Sequence, residues 1–295
     1  MKRMVMAAVA VMTLRAATPG LTLAAGYGNP QFLVDTNWLT LHLNDRDLRI
    51  IDMRNSPEEY AAGHIPGAIH FTVNQARLAL KESGFALPPD YEIEERLGQL
   101  GITKETMVVA YDDQGGFNAS RLFFTLEYAG HKKVALLNGG ITKWTAEERA
   151  LSKTLPQVSK AVYQVHTETQ RVAPAGWIVT NLGTPNLALV DARSPAEFRG
   201  EDLRAKRGGH IPGAVNIEWT QNLTGDKTFK PADELLALYS QAGVTKDKTI
   251  VSYCQTMHRA AVTYFTLRLL GYPDVRGYDR SWSEWGNDPT LPAKW

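Results

Sequence analysis

The chain has 295 residues, of which 44% are hydrophobic and 21% charged, and its formal net charge is +1. That balance excludes a disordered chain and supplies no general basic or acidic field for a nucleic-acid partner. At roughly 100–200 residues per domain, the length fits two domains, each able to bury its own core.

In chain order, residues 1–25 carry Lys2 and Arg3, then an apolar run over 4–14, then the small residues Thr22, Ala24 and Ala25. This is the layout of a secretory signal peptide, and the run is too short to span a bilayer as a mature helix. The mature protein is therefore expected to be periplasmic or secreted, with no membrane attachment after cleavage. Residues 29–149 read as a first domain, with strands at 48–53, 106–111 and 134–137 and helices at 57–62, 91–100 and 119–128. Pro57 stands in the first turn of its helix, where a missing N–H costs nothing. Residues 150–172 read as a linker, since 157–170 lacks helical spacing. Residues 173–295 read as a second domain, with strands at 187–191 and 249–253, helices at 233–241 and 260–270, and a short C-terminal helix holding Trp282 and Trp285. Alternating strands and helices imply, in each domain, a mostly parallel sheet with helices on both faces, an α/β fold.

The two domains repeat one another. Gly63-His64-Ile65-Pro66-Gly67-Ala68 recurs as Gly209-His210-Ile211-Pro212-Gly213-Ala214, and Asp52, Arg54 and Glu59 are matched by Asp191, Arg193 and Glu197. A period of roughly 140 residues is too long for a solenoid unit and indicates duplicated globular domains. Residues kept in both copies, His64 and His210 included, are expected to organise the fold. One His per copy, without clustered Cys or carboxylates, does not make a metal ligand set. No metal or cofactor is expected.

In open α/β sheets, ligands bind beyond the carboxyl ends of the strands. The loop after the strand at 249–253 reads Cys254-Gln255-Thr256-Met257-His258-Arg259 and holds the only cysteine of the chain. A lone cysteine cannot form an intramolecular disulfide. Loop amides, a helix N-terminus, His258 and Arg259 together favour a thiolate, the nucleophilic form. Cys254 is thus the candidate nucleophile, with Gln255, Thr256, Met257, His258 and Arg259 as an anion cradle; Met257 also suits a packing or lid position. The corresponding first loop begins Asp112-Asp113 and has no cysteine, so the first domain is expected to be catalytically silent. The second domain carries an insertion at 200–208 that adds Arg204, Lys206 and Arg207. These are candidate cations for an anionic substrate, Arg207 foremost.

The Asp-x-Arg-x-x-x-Glu-Phe pattern of the second copy, with one residue more before Glu59-Tyr60 in the first, the Gly-His-Ile-Pro-Gly-Ala stretch, the strand-end cysteine loop and the tandem arrangement resemble the rhodanese family from about residue 29 to 285. The resemblance implies two doubly wound α/β domains, with only the second active through the cysteine matched by Cys254. It also implies a substrate contact from an Arg before the second Gly-His-Ile-Pro-Gly, here Arg207 or Arg204. The loop departs from the familiar Cys-Arg-Lys-Gly-Val-Thr and Cys-Gly-Ser-Gly-Val-Thr forms in lacking glycine.

The expected activity is transfer of sulfur from thiosulfate through a Cys254 persulfide to a thiol or cyanide, with an unknown protein as a further acceptor. The nearest alternatives are a 3-mercaptopyruvate sulfurtransferase and a non-catalytic persulfide carrier. A phosphatase fits poorly, because only four residues separate Cys254 from Arg259.

Overall fold

The structure, a computed structural model, describes residues 26–81 and 84–295; the expected signal peptide at 1–25 lies outside the described residues. The first unit runs β1 (Leu33–Val34), α1 (Thr36–His42), β2 (Leu48–Asp52), α2 (Pro57–Ala62), β3 (Ile69–His70), β4 (Leu78–Ala79), β5 (Phe85–Ala86), α3 (Asp90–Gln99), β6 (Met107–Tyr111), α4 (Ala119–Tyr128), β7 (Val134–Leu137) and α5 (Gly140–Ala146). The second runs α6 (Ala175–Asn181), β8 (Leu187–Asp191), α7 (Pro195–Arg199), β9 (Val215–Asn216), α8 (Ala232–Gln241), β10 (Thr249–Tyr253), α9 (Arg259–Leu269), β11 (Val275–Gly277) and α10 (Ser281–Trp285).

The main sheets have strand orders β1-β7-β6-β2-β3 and β11-β10-β8-β9, and every pairing in them is parallel. Only the small β4–β5 pair is antiparallel. Successive side chains of a strand point to opposite faces, so a sheet covered on both sides needs apolar residues throughout. In β6, Val108 and Ala110 face the core built with α3 and α4, while Val109 and Tyr111 face Leu39, Ile141 and Trp144 of α1 and α5. In β10, Ile250 faces Leu235 and Val262, while Val251 and Tyr253 face Ile178, Trp282 and Trp285. No helix among the described residues is long and apolar enough to cross a membrane.

The repeated polar residues form the same lock twice. Arg54 donates from Nε to Asp52 Oδ1 at 3.0 Å and from Nη2 to Asp52 Oδ2 at 2.6 Å and to Gly63 O at 2.9 Å. Tyr111 O–H donates to Asp52 Oδ2 at 2.6 Å and accepts from Ile65 N–H at 3.2 Å. In the second unit, Arg193 makes the matching bonds to Asp191 and to Gly209 O, and Ile211 N–H donates to the Tyr253 hydroxyl at 3.1 Å. His64 stacks on Tyr60 and His210 on Phe198, each bonding the carbonyl of the residue it covers. A buried ion pair of this kind is stable only where further hydrogen bonds answer its polar atoms, as the Gly63 and Gly209 carbonyls and the two tyrosine hydroxyls do here.

The inner faces of both units share one core. Within it α4 and α9 lie side by side and run the same way. Asn118 meets His258 at their starts, Phe124 meets Tyr264 midway with ring centroids 5.0 Å apart, and Glu127 meets Arg268 at their ends at 3.0 Å. Tyr264 O–H adds a 2.7 Å bond to Glu127. The segment at 157–170 is non-helical until its last residues and lies along the first unit, with Ala161 N–H donating to Gly98 O and Val165 N–H to Glu94. The strands β1, β3, β9 and β11 escape a sequence reading because two or three residues carry no period.

Removing Glu127 leaves Arg268 and Tyr264 buried without their partner. Glu127→Ala is expected to cost about 3 kcal/mol of unfolding free energy in urea titrations followed by tryptophan fluorescence. A loss below about 1 kcal/mol would mean that apolar packing alone joins the helices.

Candidate active site

Cys254 follows β10 directly and is 1% exposed. Its carbonyl accepts from Trp282 N–H at 3.0 Å, and that of Gln255 accepts from Ser283 N–H at 2.9 Å, so the start of α10 braces the loop. Ser281 Oγ accepts from the N–H groups of both Cys254 (3.2 Å) and Met257 (3.0 Å) and donates to Tyr278 O at 2.7 Å. Met257 has φ +55°, a left-handed conformation that disfavours a side chain. It is the third residue after the cysteine, where the resembling loops carry glycine. Its side chain is wholly buried against Gly277 of β11, which makes it a packing residue.

The sequence suggested that all loop amides from Gln255 to Arg259 hold an anion. The Met257 amide is instead committed to Ser281. The amides of Gln255, Thr256 and His258 form no hydrogen bond among the described residues. Together with the start of α9 they leave a donor-rich turn around the sulfur.

The first unit places a carboxylate in the equivalent turn. Asp112 follows β6 as Cys254 follows β10, and its oxygens accept from the N–H groups of Gln114 (2.8 Å), Gly116 (2.9 Å), Asn118 (2.7 Å) and Ala119 (2.9 Å). Burial pushes the Asp112 carboxyl up, and these four donors pull it back only in part. The turn that could cradle a ligand is thus filled by its own side chain.

The flanking side chains divide between those on the loop and those spent elsewhere. Arg259 makes a bidentate pair with buried Glu197 at 2.5 and 2.8 Å. Burial works to lower the Arg259 pKa, but Glu197 and Cys254 raise it, so it stays charged. Burial likewise opposes ionisation of Glu197, yet Arg259 holds it at about 2. Gln255 Nε2 donates to the Arg204 carbonyl at 2.9 Å, which brings the insertion's main chain to the loop. The Arg204 guanidinium, however, is exposed and pairs with Asp202 at 3.0 Å and Glu197 at 3.5 Å. Arg207, the expected substrate cation, donates to the carbonyls of Leu291 (2.8 Å), Trp285 (2.6 Å) and Asp288, and so fastens the C-terminal segment.

His258 stacks on Phe117 with centroids 3.9 Å apart, and its Nε2 lies 2.8 Å from Asn118 Oδ1. Asn118 Nδ2 donates to Met53 O, which turns Oδ1 toward the imidazole, so Nε2 carries the proton and Nδ1 does not. Burial, with Arg77, Arg121 and Arg259 nearby, lowers the His258 pKa to about 3. It is therefore a neutral hydrogen-bond donor and not a cation in the cradle.

Four groups at the site went unread in the sequence: Ser281, Asn118, Arg121 and Arg77. Arg121 of α4 is fully buried, 2.7 Å from Asp279 Oδ1 but out of line for a hydrogen bond. Arg77 lies within the field of both Arg121 and Cys254. No local pattern marks either one, because the first domain's own loop has no nucleophile to point to them.

Residues 35–147 and 174–288 each match the Rhodanese-like domain family. The chain is 39% identical over 256 residues to a thiosulfate sulfurtransferase of Azotobacter vinelandii, covering 87% of this chain and 94% of that protein. It is 40% identical over 286 residues to the sulfur carrier protein TtuD of Thermus thermophilus, covering 90% and 98%. Its fold is similar to the crystal structure of an anaerobic ergothioneine biosynthesis enzyme from Chlorobium limicola in complex with trimethyl histidine, with a TM-score of 0.82, 26% identity, and 90% and 71% coverage.

Asp112→Ala leaves four loop amides without their acceptor and is expected to cost about 2–4 kcal/mol in chemical denaturation; a near-neutral result would mean that water replaces the carboxylate. The His258 pKa is depressed from 6.5 to about 3, so the unfolded chain binds the extra proton between those values. Its contribution to stability is complete above about pH 6.5 and is lost as pH falls toward 3. His258→Gln should flatten the stability–pH curve across that window, measured by urea midpoints at several pH values.

Proposed function

This chain belongs to the rhodanese family, with the rhodanese-like domain present twice, and from that premise we propose that it is a sulfurtransferase that takes sulfane sulfur from thiosulfate, carries it as a Cys254 persulfide and passes it to a thiol or cyanide. The observation that carries this is the placement of the sole cysteine at the start of α9, in a turn with uncommitted amides and with Arg259 beside it.

The Cys254 thiolate attacks the outer sulfur of thiosulfate. A new S–S bond forms, the old one breaks, and sulfite leaves with the electron pair. The acceptor thiolate or cyanide then attacks the outer sulfur of the persulfide and restores the Cys254 thiolate, giving a disulfide-level persulfide of the acceptor or thiocyanate. Two half-reactions through a covalent intermediate give ping-pong kinetics. The amides of Gln255, Thr256 and His258 stabilise charge on the transferring sulfur in a water-poor turn, where fixed donors are worth more than in water. Neutral His258 holds the loop against the first domain through Asn118, and Arg259 is kept charged and oriented by Glu197.

Intact-protein mass after incubation with thiosulfate and removal of the excess should rise by one sulfur atom. The gain should vanish on treatment with cyanide and be absent in Cys254→Ser. Gain from 3-mercaptopyruvate but not thiosulfate would move the donor to the carboxylate class. No gain from either, with sulfur accepted only from a partner protein, would make the chain a carrier.

A further inference from the structure

We infer that Arg77, contributed by the first domain, is the specificity-determining cation that receives the anionic group of the substrate at Cys254. This rests on the sulfurtransferase role of Cys254 for the identity of the substrate, but not for the charge that Arg77 places at the thiol.

Of the other arginines around the loop, Arg259 is paired with Glu197, Arg204 with Asp202 and Glu197, and Arg207 is held by main-chain carbonyls, while Arg121 has Asp279 as a counter-ion at 2.7 Å without a hydrogen bond to it. Arg77 has no carboxylate among the described residues. Its guanidinium hydrogen-bonds the neutral Asn74 side chain at 2.8 and 3.3 Å and lies 3.3 Å from the centroid of the Phe85 ring. A half-buried cation that pairs with no carboxylate among the described residues is favoured by a bound anion. Such an arrangement is stable when a bound anion completes it.

The hairpin that holds Arg77 is pressed against the cysteine loop. Arg77 immediately precedes β4, and Phe85 opens β5, so both partners of the stacked pair come from the two arms of one hairpin. Gly84, beside Phe85, has φ +75° and no room for a side chain. A Cβ there would stand 2.3 Å from Ser283 Oγ and 3.8 Å from Thr256 Cγ2. Just beyond β5, Leu87 N–H donates to Asp279 Oδ2 at 2.5 Å, the same carboxylate that meets Arg121. The hairpin thus sits on the loop through Gly84 and is tied to the second domain through Asp279. Burial and Arg121 lower the Arg77 pKa to about 10, while Cys254 acts to raise it, so the group is charged at neutral pH and senses the sulfur. Small oxyanions and carboxylates, not neutral thiol reagents, are the class that this cation selects.

The test compares alkylation of Cys254 by iodoacetate, an anion, with alkylation by iodoacetamide, its neutral analogue, in the full-length protein. In Arg77→Gln and in Arg77→Met, which keeps an apolar group over Phe85, the ratio of the two rates should fall roughly fivefold to tenfold, with the iodoacetamide rate within about twofold of the parent. Arg77→Lys should retain most of the ratio. The KM for thiosulfate should rise about tenfold in the neutral variants, with kcat changed far less. An unchanged ratio in a variant with parental circular dichroism overturns the inference, even if thiosulfate still loads Cys254. A fallen ratio in a protein that thiosulfate never loads upholds Arg77 as the anion selector and overturns only the choice of donor.

Discussion

The parallel packing of α4 on α9 is the constraint from which the site follows. Two helices that run the same way bring their positive ends together, and like-poled ends repel unless each is answered by negative charge. One end receives the Asp112 carboxylate, bonded to the amides of Asn118 and Ala119. At the other stands the turn that begins with Cys254, between the end of β10 and the start of α9. At the far ends Glu127 and Arg268 pair directly, so neither charge is buried alone between the helices. Because the starts of the helices coincide, the first domain's loop also delivers Asn118 and Phe117 to His258 and Arg121 to Asp279.

That arrangement joins a domain whose strand-end loop has no cysteine to the loop that carries Cys254. The first domain's loop is closed by its own carboxylate, yet its neighbouring side chains shape the environment of the second domain's sulfur. Silence of a loop is a local property, set by one residue in a turn of amides. Participation of a domain is set by which faces are buried together, and here the inner faces form one core.

The loop itself is held by redundancy. Met257 occupies a left-handed conformation without being glycine, a state that costs of order 1–2 kcal/mol. Ser281 repays that cost through three hydrogen bonds, and the burial of the Met257 side chain on β11 adds to them. Ser281 also has a positive φ, +51°, so the brace and the loop it steadies share the strain. Preorganisation of this kind keeps the donors of the turn aimed at one point.

The sequence by itself determined the α/β class, the duplication, the main strands and helices, and the strand-end position of Cys254. Each of these is written in local periodicity or in a repeated motif such as Gly-His-Ile-Pro-Gly-Ala, and local patterns survive in one dimension. That Asp52, Arg54, Asp191 and Arg193 organise the fold was legible from their recurrence in both copies, and the structure pairs them two residues apart. Tertiary structure alone decided which partners each cation has. Arg207 suits an anionic substrate by its place just before the repeated Gly-His-Ile-Pro-Gly-Ala turn, but the C-terminal carbonyls, 78 to 84 residues away, claim its donors. Arg77 and Arg121 come from the other domain, and nothing within several residues of either one refers to Cys254. The field at a buried atom sums over neighbours in space, and it was the packing of α4 on α9 and of the β4–β5 hairpin on the loop that chose those neighbours.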